Sequence, residues 1–234
     1  ETFAEEHFDD LDISLASRGN KAYTNVVTDF ALYGEFHDTI STQPSPQGTG
    51  QPAKTGKSLL IEKGAGDYGA GKLASVTYQG PGIETATRNQ IGKGQRLRFA
   101  VSVYAEQTDV AFSPLEIING TSGNTLAFLK FERTGQIVYS YYTDVDGTEK
   151  EQKLAVGTYE ANKWYQLRYE FDTQNMLVDC WLDGERIVAQ QPFRLPSNFQ
   201  SGNLYGIRTR MESRQGYDSR IYVDDLTWEH DVPP

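Results

Sequence analysis

Arg208 and Arg210, separated by one residue in LYGIRTRM, are the side chains whose spacing most directly suggests chemistry. Strand alternation puts Leu204, Gly206, Arg208, Arg210 and Glu212 on one face and Tyr205, Ile207, Thr209 and Met211 on the other. The second set is the better core, so both guanidinium groups project together, with Gly206 opening room beside them. Sugars present apolar C–H faces ringed by hydroxyls, and proteins meet them with flat aromatic rings and bidentate polar groups. On that ground Arg98, Tyr104, Tyr139, Tyr141, Trp181, Arg208 and Arg210 are the candidate contacts to a saccharide. Strand tyrosines also pack and arginine pairs also form surface salt bridges, so the residue types leave both roles open.

Other constellations fail on context. Gly64, Gly66 and Gly69 satisfy G-x-G-x-x-G, and the run to Lys72 nearly completes a phosphate-binding loop. Such a loop must open a helix so that aligned N–H groups face the anion. The sequel KLASVTYQG is strand-like, ends at Gly80-Pro81-Gly82, and puts Leu73 where a metal-binding Ser or Thr is required. A glycine-rich turn is expected there. Asp144-x-Asp146-Gly147 resembles a calcium loop, but Tyr142 and Lys153 occupy the first and twelfth positions, which need an acid and a Glu. An Asp-Gly hairpin turn explains it better. His7, His37 and His230 lie too far apart in sequence to read as a metal site, and Glu116 in LEIIN has no obvious carboxylate partner. The single Cys180 reads as a small buried hydrophobe.

The elements that must position these groups are strands. Trp164 to Ile187 reads as two strands about a polar turn, followed by the hairpin signal Asp183-Gly184. Tyr165, Leu167, Tyr169 and Phe171 share one face, as do Val178, Cys180 and Leu182. Further strands are expected at FDDLDI, Ser58–Glu62, Arg96–Glu106, Leu115–Ile118, Thr125–Arg133, Gln136–Thr143, Leu204–Met211 and Ser219–Trp228, with no compelling helix or repeat. Residues 41–57, rich in Pro, Gly, Ser and Thr, read as a loop within a single domain spanning 1–234. Short strands at this spacing indicate an all-β, antiparallel two-sheet sandwich. With 12% aromatic residues, 14 of them tyrosines, and only 38% hydrophobic residues, the chain suits sheets with wet outer faces. A formal charge of -10 argues against nucleic acid and anionic membrane as partners. It also weighs against polyanionic glycans unless a local arginine cluster overrides the total. No apolar run approaches the ~18 residues a membrane span requires.

The tryptophan-led strand, short turn and following strand ending Trp181-Leu182-Asp183-Gly184 resemble the concanavalin A-like lectin/glucanase jelly roll, including its laminin-G-like branch. The resemblance implies a carbohydrate partner, polysaccharide or oligosaccharide, bound by a monomeric module of a larger secreted or cell-surface protein. The closing HDVPP suits a linker, and the start without Met suits a mature or excised chain. It also implies a structural calcium joining the first and last strands, with Glu6, Asp9, Asp10 and Asp224 as ligands. Hydrolases of this fold carry Glu-x-Asp-x-x-Glu or Glu-x-Asp-x-Glu on one strand, and neither occurs here. A faint likeness to jelly-roll polysaccharide lyases implies Arg88 and Gln90 as substrate contacts and Tyr139 or Tyr141 as base, although the histidine-containing strand motif of those enzymes is missing. Non-catalytic carbohydrate recognition is the leading expectation. A lyase or glycoside hydrolase, and a laminin-G-like adhesion domain binding protein, are the alternatives.

Overall fold

The computed structural model describes residues 2–13, 17–18, 21–25, 30–35, 39–49, 55–64, 74–79, 96–119, 125–192, 205–212 and 215–230. Among them there are two antiparallel sheets and no helix. The first sheet runs, edge to edge, β15 (Glu185–Pro192), β14 (Leu177–Leu182), β13 (Trp164–Asp172), β8 (Arg96–Ala105), β17 (Ser219–His230), β6 (Lys57–Lys63), β5 (Thr39–Pro44) and β2 (Ser17–Arg18). A ninth strand, β1 (Thr2–Glu6), also pairs with β17. The second sheet runs β12 (Thr148–Thr158), β11 (Gln136–Val145), β10 (Thr125–Phe131), β9 (Phe112–Asn119), β16 (Tyr205–Met211), β7 (Ala74–Gln79), β4 (Phe30–Glu35) and β3 (Lys21–Asn25).

Period-two alternation builds the space between the sheets. β13 sends Tyr165, Leu167, Tyr169 and Phe171 inward, β8 adds Leu97, Phe99, Val101 and Val103, and β16 adds Ile207 and Met211. Cys180 is fully buried among them, and burial pushes its thiol well above the usual range, which leaves it unreactive. Both Asp-Gly signals are hairpin turns: Asp146-Gly147 joins β11 to β12 and Asp183-Gly184 joins β14 to β15, with every residue of the two pairs at positive φ.

Two expectations are corrected. FDDLDI is not a strand, because Phe8 takes φ 60 and turns the chain. Its apolar residues Phe8, Leu11 and Ile13 anchor that turn in the core, and the first strand lies just before it. The run 41–57 is not all loop, since Ser41 to Pro44 complete β5 against β6. Polar composition hid this strand, and Pro44 is tolerated because it stands at the strand's end. The glycine-rich run 65–72 and the expected contacts Arg88 and Gln90 lie outside the described residues.

Burial also pushes the hydroxyls of Tyr78, Tyr139 and Tyr169 far above the ordinary tyrosine value. In the unfolded chain these groups ionise near pH ~10, while the folded state holds their protons more tightly. Stability should therefore be insensitive to tyrosine below about pH 10 and fall above it, by about 1.4 kcal/mol per pH unit for each such residue. Urea midpoints followed into alkali, with tyrosinate absorbance recorded in parallel, check this. These tyrosines should ionise only in step with unfolding; full ionisation of a still-folded chain would contradict the burial.

Candidate functional site

The polar face of the eight-stranded sheet carries a buried ion triad at its centre. Arg208 stands directly opposite Glu116 across the β16–β9 pair, and Arg210 stands opposite Ser113. Between these pairs Thr209 on β16 faces both Pro114 and Leu115 on β9, a bulge. Pro114 has no N–H to give the ladder and is accommodated by this irregularity, where its carbonyl accepts a hydrogen bond from Thr209 Oγ1 at 2.8 Å. Glu116 is fully buried although its strand neighbours Leu115 and Ile117 point into the core. Arg208 Nε donates to Glu116 Oε2 at 2.7 Å, and Arg208 Nη2 donates to Thr125 Oγ1 at 2.9 Å. Arg210 Nη2 lies 2.9 Å from Glu116 Oε1, an ion-pair contact and not an aligned hydrogen bond. The arginine side chains keep 16% and 27% of their surface exposed, so cations lie above a carboxylate floor.

The same face carries a row of mostly polar positions across the strands, interrupted by the buried ring of Phe128. Thr77, Arg208, Glu116, Phe128, Ser140 and Lys153 are successive cross-strand partners from β7 to β12. Ser75 stands opposite Arg210. Ser75 Oγ and Ser140 Oγ are buried with no hydrogen-bond partner. Nearby, Lys130 pairs with Glu212 at 2.5 Å.

The seven expected sugar contacts divide among three surroundings. Arg208 and Arg210 come together as the alternation of β16 required. Arg98, Tyr104 and Trp181 lie on the other sheet's outer face. There Arg98 is held by Glu170 at 2.9 Å and Glu229 at 2.8 Å, its two cross-strand neighbours. The Trp181 ring is covered by the Arg168 guanidinium at 4.0 Å. Tyr104 is buried with Leu60, Trp164 and Tyr222 in a separate cluster. The segment Ser45–Thr49 is tied to this cluster, since Trp164 Nε1 donates to Pro46 O at 2.7 Å and Thr49 bridges Lys163. Tyr139 and Tyr141 form a stacked pair on the inner side of β11, with ring centroids 5.9 Å apart, and the Tyr139 hydroxyl donates to Pro192 O at 2.8 Å. That corrects the view of these two as groove residues or as a base: their parity in the strand is that of the core.

The implied calcium ligands are not gathered. Glu6 pairs in register with Leu226, whose side chain faces the core, and its carboxylate accepts hydrogen bonds from Phe8 N at 2.9 Å and Asn25 Nδ2 at 3.0 Å. Asp224 pairs with Ser102 on the opposite side of the sheet and accepts from Ser58 Oγ at 3.1 Å. Asp9 accepts from Lys57 N at 2.7 Å, and Asp10 is exposed. What lies beside Asp224 is Asp225, turned outward by a bulge with φ 47, and His7, whose Nδ1 is 2.7 Å from Asp225 Oδ1. Two carboxylates there supply part of the six to eight oxygen ligands calcium takes, and they are not the set expected from the termini.

Sequence reasoning missed the partners of Glu116, which it left alone, and missed Thr125, Ser75 and Ser140. Only the strand order β7–β16–β9–β10–β11 brings them to one face, and those strands are scattered along the chain.

No protein-family model matches the chain, and no curated protein matches it significantly. Among solved structures, a sialidase is similar with a TM-score of 0.60 at 13% identity over 97% of this chain. The chain spans 18% of that sialidase's length. The alginate lyase AlyC3, in complex with dimannuronate, gives a TM-score of 0.51 at 10% identity, covering 85% of this chain and 91% of that one. At such identities the similarity is one of fold, and by fold the chain is an all-β, concanavalin A-like jelly-roll sandwich.

Proposed function

We propose that the chain recognises carbohydrate without cleaving it, on the outer face of the eight-stranded sheet. The observation that carries this reading is the Arg208–Glu116–Arg210 triad at the middle of that face. A buried ion triad is a poor stabilising device, because apolar side chains of similar volume do as well or better. Two partly exposed guanidinium groups fixed by a buried carboxylate are instead a rigid set of bidentate donors, the kind of polar group that orients a sugar ring. The similarity to a sialidase and to an alginate lyase, both named for acting on sugars, supports a carbohydrate partner. Matching a stretch equal to 18% of the sialidase supports a module of a larger protein, and a polysaccharide ligand supports a secreted or cell-surface setting.

Binding is favoured over cleavage by what surrounds the triad. Both Glu116 oxygens are engaged by arginines, so neither is free to approach a glycosidic bond. The tyrosines a lyase would use as base point into the core. A glycan array, paired with ultraviolet absorbance on uronate polymers to detect unsaturated ends, tests the reading. The expected result is a bound glycan with no release of unsaturated ends. Unsaturated product would establish the lyase, and an array blank across neutral and acidic glycans would remove carbohydrate recognition.

A further inference from the structure

We infer that the sugar taken by this face is acidic, its carboxylate seated at Arg208 and Arg210. The inference rests on the carbohydrate reading above and adds the ligand's charge. Two guanidinium groups share one carboxylate, so the triad carries one surplus positive charge. Among the described residues no second acid pairs with either arginine. Among the described residues Arg210 makes only the off-axis contact to Glu116, so the rest of its guanidinium is not committed to an acid. The chain's total of -10 does not decide the matter locally. At physiological ionic strength charges more than about 8 Å away are largely screened, and a charge beside a partly buried site is screened least.

A second observation concerns the sugar hydroxyls beside that carboxylate. Ser75 Oγ and Ser140 Oγ are buried and unpartnered on this face, one opposite Arg210 and the other in the row of Glu116. A buried hydroxyl without a partner costs about 1–3 kcal/mol, and a ligand rich in hydroxyls removes that cost where the side chains covering it move aside. Lys153, exposed on edge strand β12 opposite Ser140, adds a cation at the far end of the same row. The row crosses the strands, so a chain of sugars bearing carboxylates can lie along it. Loss of a charge-assisted contact of this kind corresponds to at least a tenfold loss of affinity.

The test uses the full chain in calorimetric titrations and affinity gels. Probes are polymannuronate, polyguluronate, polygalacturonate and a sialylated oligosaccharide, set against carboxyl-reduced polygalacturonate and mannan. At least one carboxylate-bearing probe should bind, weaken with added salt, and lose at least tenfold in affinity in Arg210→Gln. Arg210→Lys, which keeps the charge, should recover part of that loss. Thermal melts of both variants control for folding, and Arg210→Lys keeps the test valid if Arg210→Gln fails to fold. Which acidic probe binds separates a uronate polymer from a terminal acidic sugar. Equal binding of the carboxyl-reduced polymer, or of mannan, with the same Arg210→Gln loss would overturn the acidic ligand and leave the carbohydrate site. Binding of an acidic probe unaffected by either variant would overturn the assignment to these arginines. No binding of any probe would overturn both readings.

Discussion

Glu116→Ala is expected to lower the free energy of unfolding by about 3 kcal/mol, the lower end of the range for breaking a buried ion pair. The carboxylate has no solvent contact, while Arg208 and Arg210 keep some, so the stranded cations can rehydrate in part. Removing the acid leaves two like charges on neighbouring positions of one strand, and among the described residues the Thr125 hydroxyl alone still holds Arg208. Against a total stability of roughly 5–15 kcal/mol, that loss is large enough to move a urea midpoint visibly. Replacing the whole triad by apolar residues, Glu116→Leu with Arg208→Leu and Arg210→Met, should restore most of the stability and abolish glycan binding. If the triple variant is as unstable as Glu116→Ala, the triad is a structural support and the case for a ligand at this face weakens.

Trp164→Ala should cost about 3–5 kcal/mol, the usual penalty for truncating a buried aromatic to Ala. Trp164 fills the small cluster with Leu60, Tyr104 and Tyr222, its ring lying 5.4 Å from that of Tyr104. Its indole N–H holds Pro46, so the truncation also removes the side-chain tie to Ser45–Thr49, while the backbone bonds of Ser45 and Thr49 remain. Gly48 shows how closely that segment approaches, since a Cβ there would collide with the Tyr104 ring. The site proposed here is on the other sheet. Any Trp164→Ala protein that still folds should bind glycan as tightly as the parent, measured at a temperature where both are native. A matching loss of binding would move the site to the Tyr104 face.

The same two residues show how far the sequence could be read. Alternation along WYQLRYEFD sorts inward from outward residues correctly, because a strand's geometry is local. It gives no sign that Trp164, on the polar side, is sealed by a segment more than a hundred residues earlier. Arg208 and Arg210 were legible as a projecting pair for the same local reason. Their partner Glu116 was not, since 92 residues separate it from Arg208 and only the pairing of β9 with β16 joins them. Tyr139 and Tyr141 were assigned to the groove by residue type, yet their strand parity is that of Ile137, which is core. The expected calcium ligands were chosen by nearness to the termini. Register puts Glu6 and Asp224 on opposite sides of one sheet, a distinction that rests on the bulge at Asp225.

Hydrogen exchange measured with and without the tightest-binding glycan tests the central claim most directly. The account predicts slowed exchange in β9, β10 and β16, around Glu116, Thr125 and Arg208, with β8 and β17 unchanged. Slowed exchange in β8, β13 and β17 instead would contradict it, and would place the ligand on the outer face of the nine-stranded sheet.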